Sequence, residues 1–143
     1  MDENVRREII LDHYQNPKNK ESVEDERYIK VNSNNESCID NIDIYVLIED
    51  NCIKDIKFQG EACAISTSST SIMITNLIGK TIEEAKEYIN NFDAMVNEEE
   101  YNEDILNEGI VYNKIYKQNN RKHCALLPYI GIKKVLEDYE KGE

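Results

Sequence analysis

Residues 42–58 read Ile-Asp-Ile-Tyr-Val-Leu-Ile-Glu-Asp-Asn-Cys-Ile-Lys-Asp-Ile-Lys-Phe, and this stretch decides the fold class. Ile42, Ile44, Val46 and Ile48 are apolar at period two, the pattern of a strand with one buried face. Glu49-Asp50-Asn51 breaks the alternation, and Asn tolerates the left-handed backbone a tight turn needs. Ile53 to Phe58 then returns, with Ile56 and Phe58 on one face. The segment is an antiparallel hairpin, and residues 28–31 offer a short further strand.

Helical signals lie on both sides of it. Residues 4–16 carry Val5, Ile9, Ile10 or Leu11, and Tyr14 near helical spacing, and Asn16-Pro17 stops the run. Residues 18–26 and 33–41 are polar, turn-rich connectors, and 60–63 is a short one. A helix is expected over 66–78, ended by Gly79; its Ser/Thr run at 66–71 is small enough to let it approach a sheet closely. Thr81-Ile82-Glu83-Glu84 is a capping box that opens a helix over 82–92. Residues 93–109 are acidic and poorly patterned, and 110–116 is a short amphipathic helical segment. The block opening at Arg121 leads into a C-terminal helix, with Cys124 at its entry and Pro128 in its first turn. Strands early and helices late make an α+β fold: a small antiparallel β-sheet with helices packed on one face.

The chain has 143 residues, the size of one domain spanning 1–143. Lys plus Arg number 17 against 29 Asp plus Glu, a net charge of −12. That balance excludes nucleic acid as the main ligand and disfavours an anionic membrane, since both need a basic surface. No apolar run approaches the ~18 residues of a membrane span. The opening MDENVRREIILDHYQNP is acidic at once and lacks a signal-peptide core, so a cytoplasmic protein is expected. Four cysteines in such a chain are metal ligands, nucleophiles or small core residues rather than structural disulfides.

Cys38, Cys63 and Cys124 fall at junctions between elements, where sites gather, whereas Cys52 falls at the hairpin turn. Their spacing is not that of a zinc finger or ribbon. Cys38-x-Asp40 and the adjacent His123-Cys124 are the close pairs of ligand types. Three thiolates with one Asp or His would make a tetrahedral site for Zn²⁺ or iron–sulfur chemistry. The plainer alternative is that each Cys is a small buried hydrophobe. His13, beside Asp12, is expected to cap or pack. The Ser/Thr run has no accompanying Ser-His-Asp logic, and the acidic run 98–100 is a solvated face.

The motifs jointly resemble the NifU N-terminal/IscU/SufU family of iron–sulfur cluster assembly proteins, most closely its SufU branch. They are ILDHYQNPKN at 10–19, NESCID at 35–40, IKDIKFQGEACAIS at 53–66, Gly79-Lys80, and RKHCALL at 121–127, in family order and spacing. The resemblance implies an IscU/SufU-like fold and a site built from Cys38, Asp40, Cys63 and Cys124, with His123 a fifth candidate ligand. It implies Zn²⁺ or a [2Fe–2S] cluster as cofactor and a cysteine desulfurase as sulfur donor. Apo iron–sulfur proteins or a downstream scaffold would be the recipients. Within the SufU branch it assigns sulfur acceptance to Cys38, with Cys124 as the alternative acceptor and Arg121 in support. Residues 93–120 match the acidic insertion of that branch, and the Leu-Pro-Pro-Val-Lys chaperone motif of the IscU branch is absent.

Two departures stand out. Cys38-Ile39-Asp40 replaces the family's Cys-Gly-Asp, so a loop that needs a glycine-only backbone angle would have to differ here. Ala62-Cys63-Ala64 replaces Gly-Cys-Ser. Two functions are thereby expected as alternatives. One is persulfide acceptance followed by zinc-dependent relay or cluster assembly. The other is a non-catalytic binding module with a structural zinc or no metal.

Overall fold

The computed structural model describes residues 2–34 and 39–142. Helix α1 (Glu3–Gln15) opens on Asp2, whose carboxylate accepts from the Asn4 amide at 2.9 Å, and closes before Pro17. Strands β1 (Ile29–Asn34), β2 (Asn41–Glu49) and β3 (Cys52–Glu61) form one antiparallel sheet in the order β1-β2-β3. The hairpin turn places Asp50 at φ 53° and Asn51 at φ 61°; two left-handed residues give the twist that a two-residue turn needs. Ile42, Ile44 and Val46 are fully buried, as the alternation requires. A bulge between Leu47 and Ile48 breaks the register, and Ile48 is only half-buried. The connector after α1 runs beside β3, where the Phe58 amide donates to Asn19 O at 3.1 Å, so that edge is partly covered.

Helix α2 (Ala64–Leu77) is buried on nearly every side, Ser66 to Ser71 included. Its Ser/Thr row does not serve an approach to the sheet. It lies between α1 and the last helix, and its hydroxyls bond into both. Ser71 Oγ lies 2.7 Å from His13 Nδ1 and accepts from the Lys18 amide at 2.8 Å. Ser69 Oγ donates to Ala125 O at 2.6 Å. Small side chains let the helices close up, and each hydroxyl finds a carbonyl or ring nitrogen, so the buried polar atoms are satisfied. Helix α3 (Ile82–Val96) carries the expected capping box but runs past residue 92, because Met95 and Val96 face the core.

Residues 93–120 are not simply an acidic excursion. A short helix α4 (Glu103–Leu106) leads into two 3₁₀ turns, Asn107–Tyr112 and Ile115–Lys117. Leu106, Val111, Tyr112 and Ile115 are buried, while residues 98–100 are exposed as expected. Tyr112 meets Phe92 edge-on at 6.0 Å, and Phe92 stacks on Tyr129 at 4.0 Å.

The last helix, α5, spans Asn119–Lys141. It begins earlier than its apolar pattern indicates, because its first turn is polar and exposed. Cys124 is therefore inside the helix rather than at its entry, and Pro128 lies in the interior rather than in the first turn. Helix α5 packs across β1 and β2 at Gly131. A Cβ there would sit 3.1 Å from Ile44 Cδ1 and 3.3 Å from Ser33 Cβ, so the missing side chain is what permits the approach. No helix among the described residues is long and apolar enough to cross a membrane.

Candidate metal centre

Register brings the first two site residues together. Asn41 pairs with Glu61, so Asp40 just before β2 lies beside the segment just after β3. The close approach depends on Gly60, at φ +134°, where a Cβ would stand 2.2 Å from Asn41 O. No L side chain fits that angle or that space. Two residues beyond β3, Cys63 caps α2, its sulfur accepting from the Ser66 amide at 3.4 Å. The Cys63 amide in turn donates to Asp40 Oδ1 at 2.6 Å.

Cys124 arrives from α5. Pro128, four residues on, has no amide to give the Cys124 carbonyl, so the helical bond at that position is missing. Ser66 Oγ lies 3.0 Å from that carbonyl and partly replaces the lost donor. The bond ties α5 to the first turn of α2 at the level of the site.

The ligand atoms of Asp40, Cys63 and Cys124 all lie within 4.8 Å of one another, with Cys63 Sγ 3.7 Å from Asp40 Oδ2. Asp40 is 1% exposed and Cys124 5%. Bonds of about 2.0–2.3 Å to a tetrahedral zinc would separate neighbouring ligands by about 3.5–3.8 Å. The three groups are within a small adjustment of that spacing, and two thiols with a carboxylate suit zinc or iron, so the donor set fits. Burial, with Cys63 and Asp40 alongside, pushes the Cys124 thiol up to about 12. Without a cation, this cluster keeps a proton on Cys124; a cation would take the proton's place.

The other expected site residues are placed as follows. Cys38 lies outside the described residues. His123 is exposed on α5 and is not part of the clustered group; Arg121 is exposed in the helix's first turn. Ile39, which stands where the family has glycine, is 73% exposed. Cys52 is half-buried at the hairpin, outside the cluster. His13 packs between Ser71 and Glu108 Oε1 (3.1 Å), as its packing role anticipates. Sequence reasoning missed Ser66. Its one signal was position, three residues after Cys63, inside a run of similar residues.

Comparison with known proteins agrees with this geometry. The family model described as NifU-like N terminal domain matches residues 5–143. The chain is 34% identical to the zinc-dependent sulfurtransferase SufU of Bacillus subtilis, over 95% of this chain and 92% of that protein. It is 32% identical to the iron–sulfur cluster assembly scaffold protein IscU of Thermotoga maritima, over 91% of each. Among solved structures, a putative iron–sulfur cluster assembly scaffold protein for the SUF system from Fervidobacterium islandicum superposes with a TM-score of 0.86. That match is at 33% identity and covers 90% of this chain and 94% of the other.

Proposed function

Because the chain belongs to the NifU-like N-terminal domain family, we propose that it is a cytoplasmic iron–sulfur cluster assembly protein that accepts persulfide sulfur from a cysteine desulfurase and relays it. The observation that carries the reading is the convergence of Asp40, Cys63 and Cys124 from three separate elements within 4.8 Å. The three described cysteines, Cys52, Cys63 and Cys124, are free, in keeping with a reducing compartment.

Cys38, Asp40, Cys63 and Cys124 are the residues that would hold a metal ion. When bound, zinc would supply a positive charge that keeps thiols as thiolates at neutral pH. The Cys38 thiolate attacks the terminal sulfur of a persulfide on the desulfurase. The S–S bond on the donor breaks as the new one forms on Cys38, and the donor cysteine leaves as a thiolate, with no net oxidation. Cys124 is the alternative acceptor. Arg121 supports by placing an exposed positive charge less than one helical turn from Cys124. Exposed Ile39, next to Asp40, suits burial against the docked enzyme. Apo iron–sulfur proteins or a downstream scaffold receive the sulfur.

A second reading, assembly of a labile [2Fe–2S] cluster on the same residues, is favoured by Asp40 itself, because a carboxylate holds iron less firmly than a thiolate. Protein purified without air separates the two by elemental analysis and absorption. Zinc with no visible band supports relay, and brown colour with labile sulfide supports assembly. Desulfurase turnover tests the shared claim. Wild type is expected to stimulate it and Cys38→Ala, with metal retained, is not. Absence of stimulation by wild type would remove the sulfur-handling role.

A further inference from the structure

We infer that Ser66 is a positioning residue for the metal centre, its hydroxyl clamping the Asp40 carboxylate against Cys63 and Cys124. The inference rests on the metal-binding reading above, and it concerns a residue that supplies no ligand atom itself.

Ser66 is fully buried in the first turn of α2. Its Oγ lies 2.6 Å from Asp40 Oδ2, 3.0 Å from Cys124 O and 3.6 Å from Cys63 Sγ. One side chain thus touches all three members of the cluster. The hydroxyl has a single proton for two acceptors. The two share it, and the nearer, charged carboxylate takes the larger part. Asp40 Oδ1 is held separately by the Cys63 amide at 2.6 Å. Both carboxylate oxygens are therefore fixed by donors from one short segment, residues 63–66, and the carboxylate is oriented before any ion arrives. Outer bonds of this kind orient a ligating carboxylate, and their loss typically weakens metal binding about 10–100-fold.

A neighbouring serine separates this role from plain packing. Ser69, one turn further along α2, makes the equivalent bond to α5 at Ala125 O, 2.6 Å, but no bond to a cluster residue. Ser66→Ala and Ser69→Ala each remove one buried hydroxyl between the same two helices. Only the first removes a bond to Asp40. The Ser66 amide, which bonds the Cys63 sulfur, remains in both variants.

The test is the zinc dissociation constant of each protein by competition with a chromophoric chelator, with the visible spectrum of the Co²⁺-substituted forms beside it. Ser66→Ala is expected to weaken zinc binding roughly 10–100-fold and to alter the Co²⁺ d–d bands. Ser69→Ala should do neither, and Ser66→Thr, which keeps the hydroxyl, should recover most of the affinity. If Ser66→Ala does not fold alone, Ser66→Ala combined with Pro128→Ala is read in its place against Pro128→Ala. The second change returns an amide donor to Cys124 O. Zinc affinity unchanged by loss of Ser66, or lowered equally by loss of Ser69, overturns the inference and leaves the metal site standing. Failure of wild type to bind zinc or Co²⁺ overturns the metal reading itself, and the role of Ser66 with it.

Discussion

Pro128 stands four residues after Cys124 inside α5 and withholds the one backbone donor that the Cys124 carbonyl would otherwise receive. Ser66, 3.0 Å away on α2, supplies part of it from the hydroxyl proton that it shares with Asp40. The break in one helix is thus the point at which it is joined to the next. Ser66→Ala should therefore cost about 1–3 kcal/mol in the metal-free protein, where the buried carbonyl loses its donor. The cost should be smaller in a Pro128→Ala background, where residue 128 regains an amide. Urea denaturation of the four proteins of this cycle measures it; equal costs in both backgrounds would deny the coupling.

Gly60→Ala should damage both fold and site. The new Cβ would stand 2.2 Å from Asn41 O at a φ of +134°, so the β2–β3 ladder must part next to Asp40. A loss of about 3 kcal/mol or more is expected, in line with strained backbone plus a broken pair of strands. Thermal melting checks this, and an unchanged midpoint would mean that the two strand ends are not locked together.

Asp40 and His123 make opposite predictions. Asp40→Ala should lower zinc affinity by at least roughly tenfold, as expected for loss of a ligand from a coupled site. His123→Ala should leave it within a factor of about two, since the exposed imidazole is outside the cluster. Chelator competition on both variants decides it, and the reverse ranking would exchange the fourth ligand.

Alkaline pH should unfold the protein through its tyrosines. Burial holds Tyr88, Tyr112 and Tyr129 above the ordinary phenol range, and the bond to Asp55 (2.5 Å) raises Tyr28 to about 12. Folded values above the unfolded value of about 10 mean that each contributes full stability below pH 10. That contribution is lost as pH rises from 10 towards 12. Absorbance at 295 nm should show Tyr28, Tyr88, Tyr112 and Tyr129 ionising only as circular dichroism is lost. Complete ionisation of these four near pH 10 in an intact fold would contradict this.

The hairpin was legible because a half-buried strand writes its burial at period two, and Thr81 with Glu84 announced α3 because capping is local chemistry. The start of α5 was hidden, since Asn119, Asn120 and Arg121 face water and carry no apolar period. The core-forming 3₁₀ turns were legible in part: 110–116 reads as a short amphipathic helical segment and buries Val111, Tyr112 and Ile115, but Leu106 was hidden in the acidic stretch before it. At the site, the residue types pointed to Asp40, Cys63 and Cys124, with family resemblance choosing among the alternatives. Ser66 could not be singled out from its neighbours, because what distinguishes it is contact with residues 26 positions before and 58 after it.

Metal content per chain, by elemental analysis of anaerobically purified protein, tests the central claim most directly. About one zinc, or one two-iron cluster, is expected in wild type, with substantial loss in Cys63→Ser and in Cys124→Ser. Folded wild-type protein that carries no metal and takes up neither zinc nor iron when offered them would contradict it.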